Sequence, residues 1–254
     1  MKTYVYIDAS NLFYGGLKSL GWSVDFEKLI LYLRERFNAS HVYYFGGVEI
    51  HKFPFDYLRS DSVSLGELEN YLIDYINKRR EGLTSAMLVL LDRHVKQVRF
   101  YRKLEKFGFE LILKPVKIYE DEDGNQKRKA NCDVEMAFYL MRDCMTFERV
   151  VILSGDGDFL PVLKHLRDAV GKVVLVLSRG PRTAREIKQF AGDTFMDLTN
   201  NNLREKIERI TKNSERHPFR MPFKSVSYSV TDIQQLSTAI EKQRTAPAKD
   251  AVQV

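Results

Sequence analysis

Carboxylates recur where strand-like runs end. Tyr4 to Ile7 runs into Asp8-Ala9-Ser10-Asn11, and Val150 to Leu153 runs into Ser154-Gly155-Asp156-Gly157-Asp158-Phe159. A third acid, Asp133, opens a helical pattern just after Lys127-Arg128-Lys129-Ala130-Asn131-Cys132. An Asp at a strand end or helix start is ordinarily a cap or turn residue. The Gly-Asp-Gly-Asp stretch exceeds that duty, because capping uses one of its two acids, and its glycines permit a tight turn. Three or four carboxylates gathered on one edge repel one another. A hard divalent cation such as Mg2+ or Mn2+ neutralises an oxygen cluster of this kind.

Positioning them requires strands with a common direction. Tyr4 to Ile7, Val150 to Leu153 and Val173 to Leu177 are β-branched apolar runs of the buried parallel type, and Val42 to Phe45 and Glu110 to Val116 are weaker ones. Between them lie helical patterns. One begins at Asp25 with Phe26, Leu29, Ile30, Leu33 and Phe37 on one face, and Ser64-Leu65-Gly66-Glu67 reads as a capping box before Leu68, Leu72 and Ile76. Val95 to Phe107, Asp133 to Met145, Phe159 to Ala169 and Leu203 to Ile210 complete the helices, while Met87 to Leu91 fits strand or helix. The alternation predicts an α/β fold, a three-layer α/β/α sandwich around a mostly parallel sheet. In such sheets ligands gather beyond the carboxyl ends of the strands, where the acids fall.

The 254 residues, 44% hydrophobic and 29% charged, suffice for one substantial core with an appendage. The apolar runs are far shorter than the ~20 residues of a membrane span, and Met1-Lys2-Thr3 leaves no room for a secretory signal, so the expected location is cytoplasmic. Cys132 and Cys144 are too few for a disulfide framework and read as buried thiols. Net charge is +6, half of it carried after Ile210, where seven Lys or Arg face four acids. The expected division is a catalytic domain over 1–200 and a helical, basic, partly flexible C-terminal extension over 201–254.

The order Tyr6-Ile7-Asp8-Ala9-Ser10-Asn11-Leu12, then Lys129-Ala130-Asn131-Cys132-Asp133-Val134-Glu135-Met136-Ala137, then Ser154-Gly155-Asp156-Gly157-Asp158-Phe159-Leu160-Pro161 resembles the NYN domain, and within it the LabA-like branch of the PIN-like nuclease superfamily. Phe107-Gly108-Phe109-Glu110 and Phe190-Ala191-Gly192-Asp193-Thr194-Phe195 fit the same pattern, and the resemblance covers residues 3 to 198. It implies a Rossmann-like fold and a metal-dependent ribonuclease site. By matching positions, Asp8, Asp133, Asp156 and Asp158 would face Mg2+ or Mn2+, with Asn11 a polar partner. LabA-like sequences often carry a further Asp six residues after the position of Asp133; here it is Tyr139, and Asp143 one turn on reads chiefly as a solvated helix residue.

An RNA substrate, expected single-stranded, needs cations. Candidates are Lys127, Arg128 and Lys129, and Arg179, Arg182, Arg185 and Lys188; Arg182 and Arg185 share a face if Pro181 starts a helix. Phe13, Tyr14 and Trp22 could stack on bases but read more simply as core, and His94 reads as a loop residue beside an Asp92 N-cap. A homodimer is left open as the assembly. Two rivals remain. A haloacid dehalogenase-type phosphatase would resemble Asp-x-Asp at the first strand, where position 10 is Ser; a PIN-like RNA-binding or regulatory module without catalysis would keep the fold and lose the chemistry.

Overall fold

The computed structural model describes residues 1–13, 22–120 and 126–209. Its main unit is a six-stranded, all-parallel sheet in the order β3-β2-β1-β6-β7-β8. These strands are β1 (Thr3–Asp8), β2 (Ala39–Val48), β3 (Glu110–Pro115), β6 (Arg149–Leu153), β7 (Val173–Ser178) and β8 (Phe195–Asp197). A second, smaller unit holds an antiparallel hairpin of β4 (Lys117–Glu120) and β5 (Gln126–Lys129). The expected α/β sandwich is the observed fold.

Every residue of β1 is buried, as a central strand covered on both faces must be. Its side chains alternate between layers. Val5 and Ile7 join a core with Leu29, Leu33, Leu68, Leu72, Val98 and Leu104, while Tyr4 and Tyr6 join one with Met136, Leu140, Phe147, Leu163 and Ile187. On the first face lie α2 (Phe26–Phe37), α3 (Leu65–Arg79), α4 (Ser85–Phe107) and α8 (Asn201–Ile207); on the second lie α5 (Asp133–Asp143), α6 (Leu160–Lys164) and α7 (Arg185–Ala191). A short α1 (Ala9–Phe13) follows β1 directly.

Local chemistry sets most boundaries. Asp25 Oδ1 accepts from the Glu27 and Lys28 amides at 3.1 and 3.2 Å, capping α2 as expected. Ser64 occupies the N-cap of α3, but its hydroxyl makes no capping bond, so the expected box is not formed; burial of Leu65, Leu68 and Leu72 carries that helix start. The ambiguous Met87–Leu91 run is helical, because Thr84 caps α4 one turn earlier, accepting from Met87 N at 3.3 Å. Two expectations fall with that. Asp92 lies inside α4, 2.6 Å from Lys96, rather than capping it, and His94 is buried under the helix rather than in a loop. Gly108, at φ 98°, ends α4 with its amide bonded to Glu105 O at 2.9 Å. The segment after Asp158 begins as a tight 3-10 turn (Gly157–Phe159), becomes α6 and closes in a π-turn (His165–Ala169), so the expected single helix is wound three ways.

Helix α8 buries Leu203 and Ile207 in the first core, and Ile207 O accepts from Asp25 N at 2.8 Å. The basic stretch after Arg209 lies outside the described residues. No helix among the described residues is long and apolar enough to cross a membrane.

Candidate active site

The chain lays β1, β2 and β3 outward in one direction, then returns to place β6 on the other side of β1. At such a reversal the connections leaving adjacent strands diverge and open a crevice at their carboxyl ends. β1 and β6 run in register to Ile7 beside Leu153, so Asp8 and Ser154 emerge side by side at the lip of that crevice.

Asp8 is 4% exposed and held from three directions. Its Oδ1 accepts from Ser10 Oγ at 2.7 Å and the Asn11 amide at 3.0 Å, and its Oδ2 accepts from Ser154 Oγ at 2.9 Å. A carboxylate has about four acceptor positions, and three of those on Asp8 are filled among the described residues. Ser154 Oγ also accepts from Asp156 N at 3.2 Å, and Asn11 Oδ1 accepts from Gly155 N at 2.9 Å. The end of β1 is thereby laced to the loop after β6. Asp156 caps the following turn, its Oδ1 accepting from Asp158 N at 3.1 Å, which orients one carboxylate and leaves that of Asp158 exposed.

Asp133 starts α5, its amide bonded to Asn131 Oδ1 at 2.9 Å. Its carboxyl is pushed above the usual carboxylate range, first by burial, then by the charges of Asp8 and Asp156, with Asp158 adding to them and Asn131 opposing. Acids from three separate segments thus feel one another at one sheet edge. Cys132 beside them is buried, its thiol pushed up to about 12 by burial and Glu135. Among the described residues no three His, Cys, Asp or Glu side chains are grouped closely enough to hold a metal ion as they stand.

Gly155 is needed for close approach of backbone, whereas Gly157 faces only the movable tip of Glu186. A Cβ on Gly155 would lie 2.6 Å from Ser178 Oγ and 2.9 Å from Thr183 Cα, and one on Gly157 would collide with the Glu186 carboxylate. Ser10, Ser154 and Glu186 therefore belong to this edge, although the sequence assigns them no role. Ser154 sits inside the quoted motif and could have been suspected; Glu186 comes from α7 and carries no local signal.

The cations are placed less uniformly. Arg179, at the end of β7, is buried, with its guanidinium pushed down by burial and by Arg182. Arg182 and Arg185 are exposed but do not share a helix. Pro181 lies in a 3-10 turn (Gly180–Arg182) that ends at extended Thr183, and α7 starts only at Arg185. Lys188 is exposed on α7. Lys127, Arg128 and Lys129 form most of β5, and their side chains lie outside the described ones. Trp22 is core, 4% exposed, as expected; Tyr14 and the Phe13 side chain are outside the described residues.

Tyr139 packs edge-on against Tyr43 and Phe45, with ring centroids 5.7 and 5.5 Å away, and the Arg142 guanidinium lies over it at 3.8 Å. Asp143 is buried rather than solvated. It accepts from Tyr6 OH at 3.1 Å and pairs with Arg142 through both oxygens at 2.7 and 2.9 Å, so it is tied to the core network. Tyr139→Asp would put a carboxylate and a void into this aromatic contact. The expected cost is about 4 kcal/mol, a fall in Tm of roughly 10 °C by calorimetry, with no gain in any metal-dependent activity.

Comparison with known proteins agrees with the fold. The chain is 24% identical over 209 residues to "Low amplitude and bright protein LabA" of Synechococcus elongatus, covering 81% of this chain and 87% of that protein. A crystal structure of a protein of unknown function from Vibrio parahaemolyticus is similar with a TM-score of 0.51 and 16% identity, covering 82% of this chain and 96% of that one, a likeness of fold. The model of the family described as NYN domain matches residues 69–199, just over half of the chain. With its parallel sheet and its acidic switch-point edge, the chain belongs to the NYN domain family, as a LabA-like protein.

Proposed function

We propose that this protein is a divalent-metal-dependent ribonuclease that hydrolyses RNA phosphodiester bonds at the edge formed by Asp8, Asp133, Asp156 and Asp158. The observation that carries the reading is the placing of Asp8 at the end of β1 beside the Ser154–Asp158 turn, to which Asp8 is bonded through Ser154, with the Asp133 carboxyl raised first by burial and then by these acids, in a family of the PIN-like nuclease class. Such mutual repulsion is a standing cost that a bound cation relieves.

The residues fit Mg2+ or Mn2+. The four acids offer the hard oxygen donors these ions take, and the charges of Asp8, Asp156 and Asp158 bear on Asp133, a repulsion that a cation among them would relieve. Asp8 and Asp156 are assigned to hold the principal ion, and Asp133 and Asp158 to hold a second or to orient water. When bound, such an ion neutralises phosphate charge, activates water and stabilises the departing oxygen. The chain's own part is placement. Ser10, Ser154 and the Asn11 amide fix the Asp8 carboxylate, Asn11 Oδ1 holds the Gly155 loop, and Asp156 is aimed by its bond to Asp158 N. The exposed Arg182 and Arg185 are assigned to the RNA phosphates beside this edge, the buried Arg179 is not, and Lys127, Arg128 and Lys129 are kept as further candidate phosphate contacts.

The test is cleavage of a labelled single-stranded RNA with Mn2+, Mg2+ or chelator, beside Asp156→Asn. The variant keeps Oδ1 and hence the cap, so folding is expected to be unchanged and metal-dependent cleavage to fall to background. Full activity in the variant removes the assignment. RNA binding with no cleavage by either protein moves the reading to a PIN-like RNA-binding module.

A further inference from the structure

The outward face of α4 is a second place where charge is organised. Arg93, Lys96, Arg99, Arg102, Lys103 and Lys106 recur at helical spacing and are all exposed, while Leu91, Val95, Val98, Tyr101 and Leu104 face the core. Asp92 offsets Lys96 at 2.6 Å, and Glu105 is the other acid on this face. Arg99, Arg102, Lys103 and Lys106 line a groove of about 450 Å³ with Phe107 and Glu69. Glu69 is 8% exposed and comes from α3; its carboxylate accepts from Arg99 Nε at 2.9 Å and from Arg102 Nη1. One buried carboxylate thus holds two guanidiniums, Arg99 through Nε and Arg102 through Nη1, while Lys103, 5.3 Å above the Phe107 ring, and Lys106 complete the rim.

We propose that this groove and the basic stripe leading to it bind the phosphate backbone of RNA at a site separate from the acidic edge. A row of preoriented cations recognises phosphates regardless of base, and guanidiniums match phosphate oxygens through paired N–H groups. The alternative polyanion is an anionic membrane. A helix lying on a membrane inserts exposed apolar side chains beside its cations, whereas along the stripe of α4 Val95, Val98, Tyr101 and Leu104 are buried, Phe107 is half-buried under Lys103, and the exposed Val89 lies before the stripe. From Arg93 to Lys106 every exposed residue is charged.

Its location gives the contact a meaning. Gly108 turns the chain from α4 into β3, parallel to β1, so the groove lies toward the end of the sheet where strands begin, and the acids lie where they finish. A six-residue strand spans about 20 Å, so RNA touching both would be gripped well away from the acidic edge. The choice of RNA rests on the nuclease reading; the cationic face does not.

The test is binding of a fluorescein-labelled single-stranded RNA 20-mer to the full chain in chelator, with Asp156→Asn as the background so that cleavage plays no part. Lys103→Gln with Lys106→Gln leaves Glu69 paired with both arginines. Affinity is expected to fall about tenfold at 0.1 M salt, and the slope of log affinity against log salt to shrink by about 1.4, two single-strand phosphate contacts. Lys103→Glu with Lys106→Glu is expected to lower affinity further at an unchanged Tm. Unchanged affinity and slope in both pairs overturn the proposal. So does capture by phosphatidylserine vesicles that is lost in the variants while RNA affinity stays constant. RNA binding that depends on these lysines without cleavage by the parent chain upholds the groove and removes only the nuclease reading.

Discussion

Asp133→Asn is expected to make the protein more stable while reducing RNA cleavage to background. The Asp133 carboxyl is raised by burial and by Asp8, Asp156 and Asp158. A group whose folded value lies above its unfolded one stabilises the fold while it is protonated and loses that contribution as pH rises through the folded value. At neutral pH the ionised Asp133 is therefore a net cost, and the amide removes it. Calorimetry in chelator should show a higher Tm for the variant at pH 7, with the difference shrinking as pH falls through the raised folded value of Asp133 and gone below its unfolded value. A lower Tm at pH 7 would show that the repulsion is not felt in solution. Gain of stability on loss of charge is the signature of a site held for chemistry rather than for folding.

Asp8→Ala is expected to have the opposite effect on stability. The substitution strands the buried Ser154 Oγ and the half-buried Asn11 amide around the gap, while the exposed Ser10 hydroxyl can turn to water. Leaving such donors unpaired costs about 3 kcal/mol together, a Tm lower by roughly 6–12 °C. Asp8→Asn separates folding from charge. Its remaining oxygen still accepts from Ser10 and Asn11, and Ser154 Oγ can turn to accept from the new amide, so most of the stability is kept while the charge is lost. Cleavage should vanish in both variants, and only Asp8→Ala should unfold early in denaturant. Equal stability of the two would mean that the lacing between β1 and the Gly155 loop contributes little.

These expectations differ because the two acids differ in origin. Asp8 was visible as the end of a short apolar strand, and the Ser154–Asp158 turn as a glycine-spaced pair of acids, since both are local patterns. The helix starting at Asp25 and the parallel alternation were legible for the same reason: periodicity and capping depend on residues a few positions apart. What could not be read was anything fixed by a distant partner. Ser154 bonds to Asp8 across 146 positions of chain, and Glu186 closes over Gly157 from another helix. Asp143 looked solvated because its neighbours in sequence are polar or exposed, yet Tyr6 and Arg142 enclose it.

The misread segments follow the same rule. Met87–Leu91 matches strand and helix equally by apolar content, and Thr84 together with the long buried stripe from Leu91 to Leu104 settles it as helix. With that helix extended, Asp92 and His94 change from loop to helix residues, and the cations from Arg93 to Lys106 become one face. Arg182 and Arg185 were expected together, but extended Thr183 parts them. By itself the amino-acid sequence determined the fold class and which carboxylates stand at strand ends, because hydrophobic period and turn chemistry act within a few residues. Tertiary structure alone decided that those carboxylates bear on one another, which serines hold them and where the basic groove opens, because charge and hydrogen bonding act through space between segments far apart in the chain.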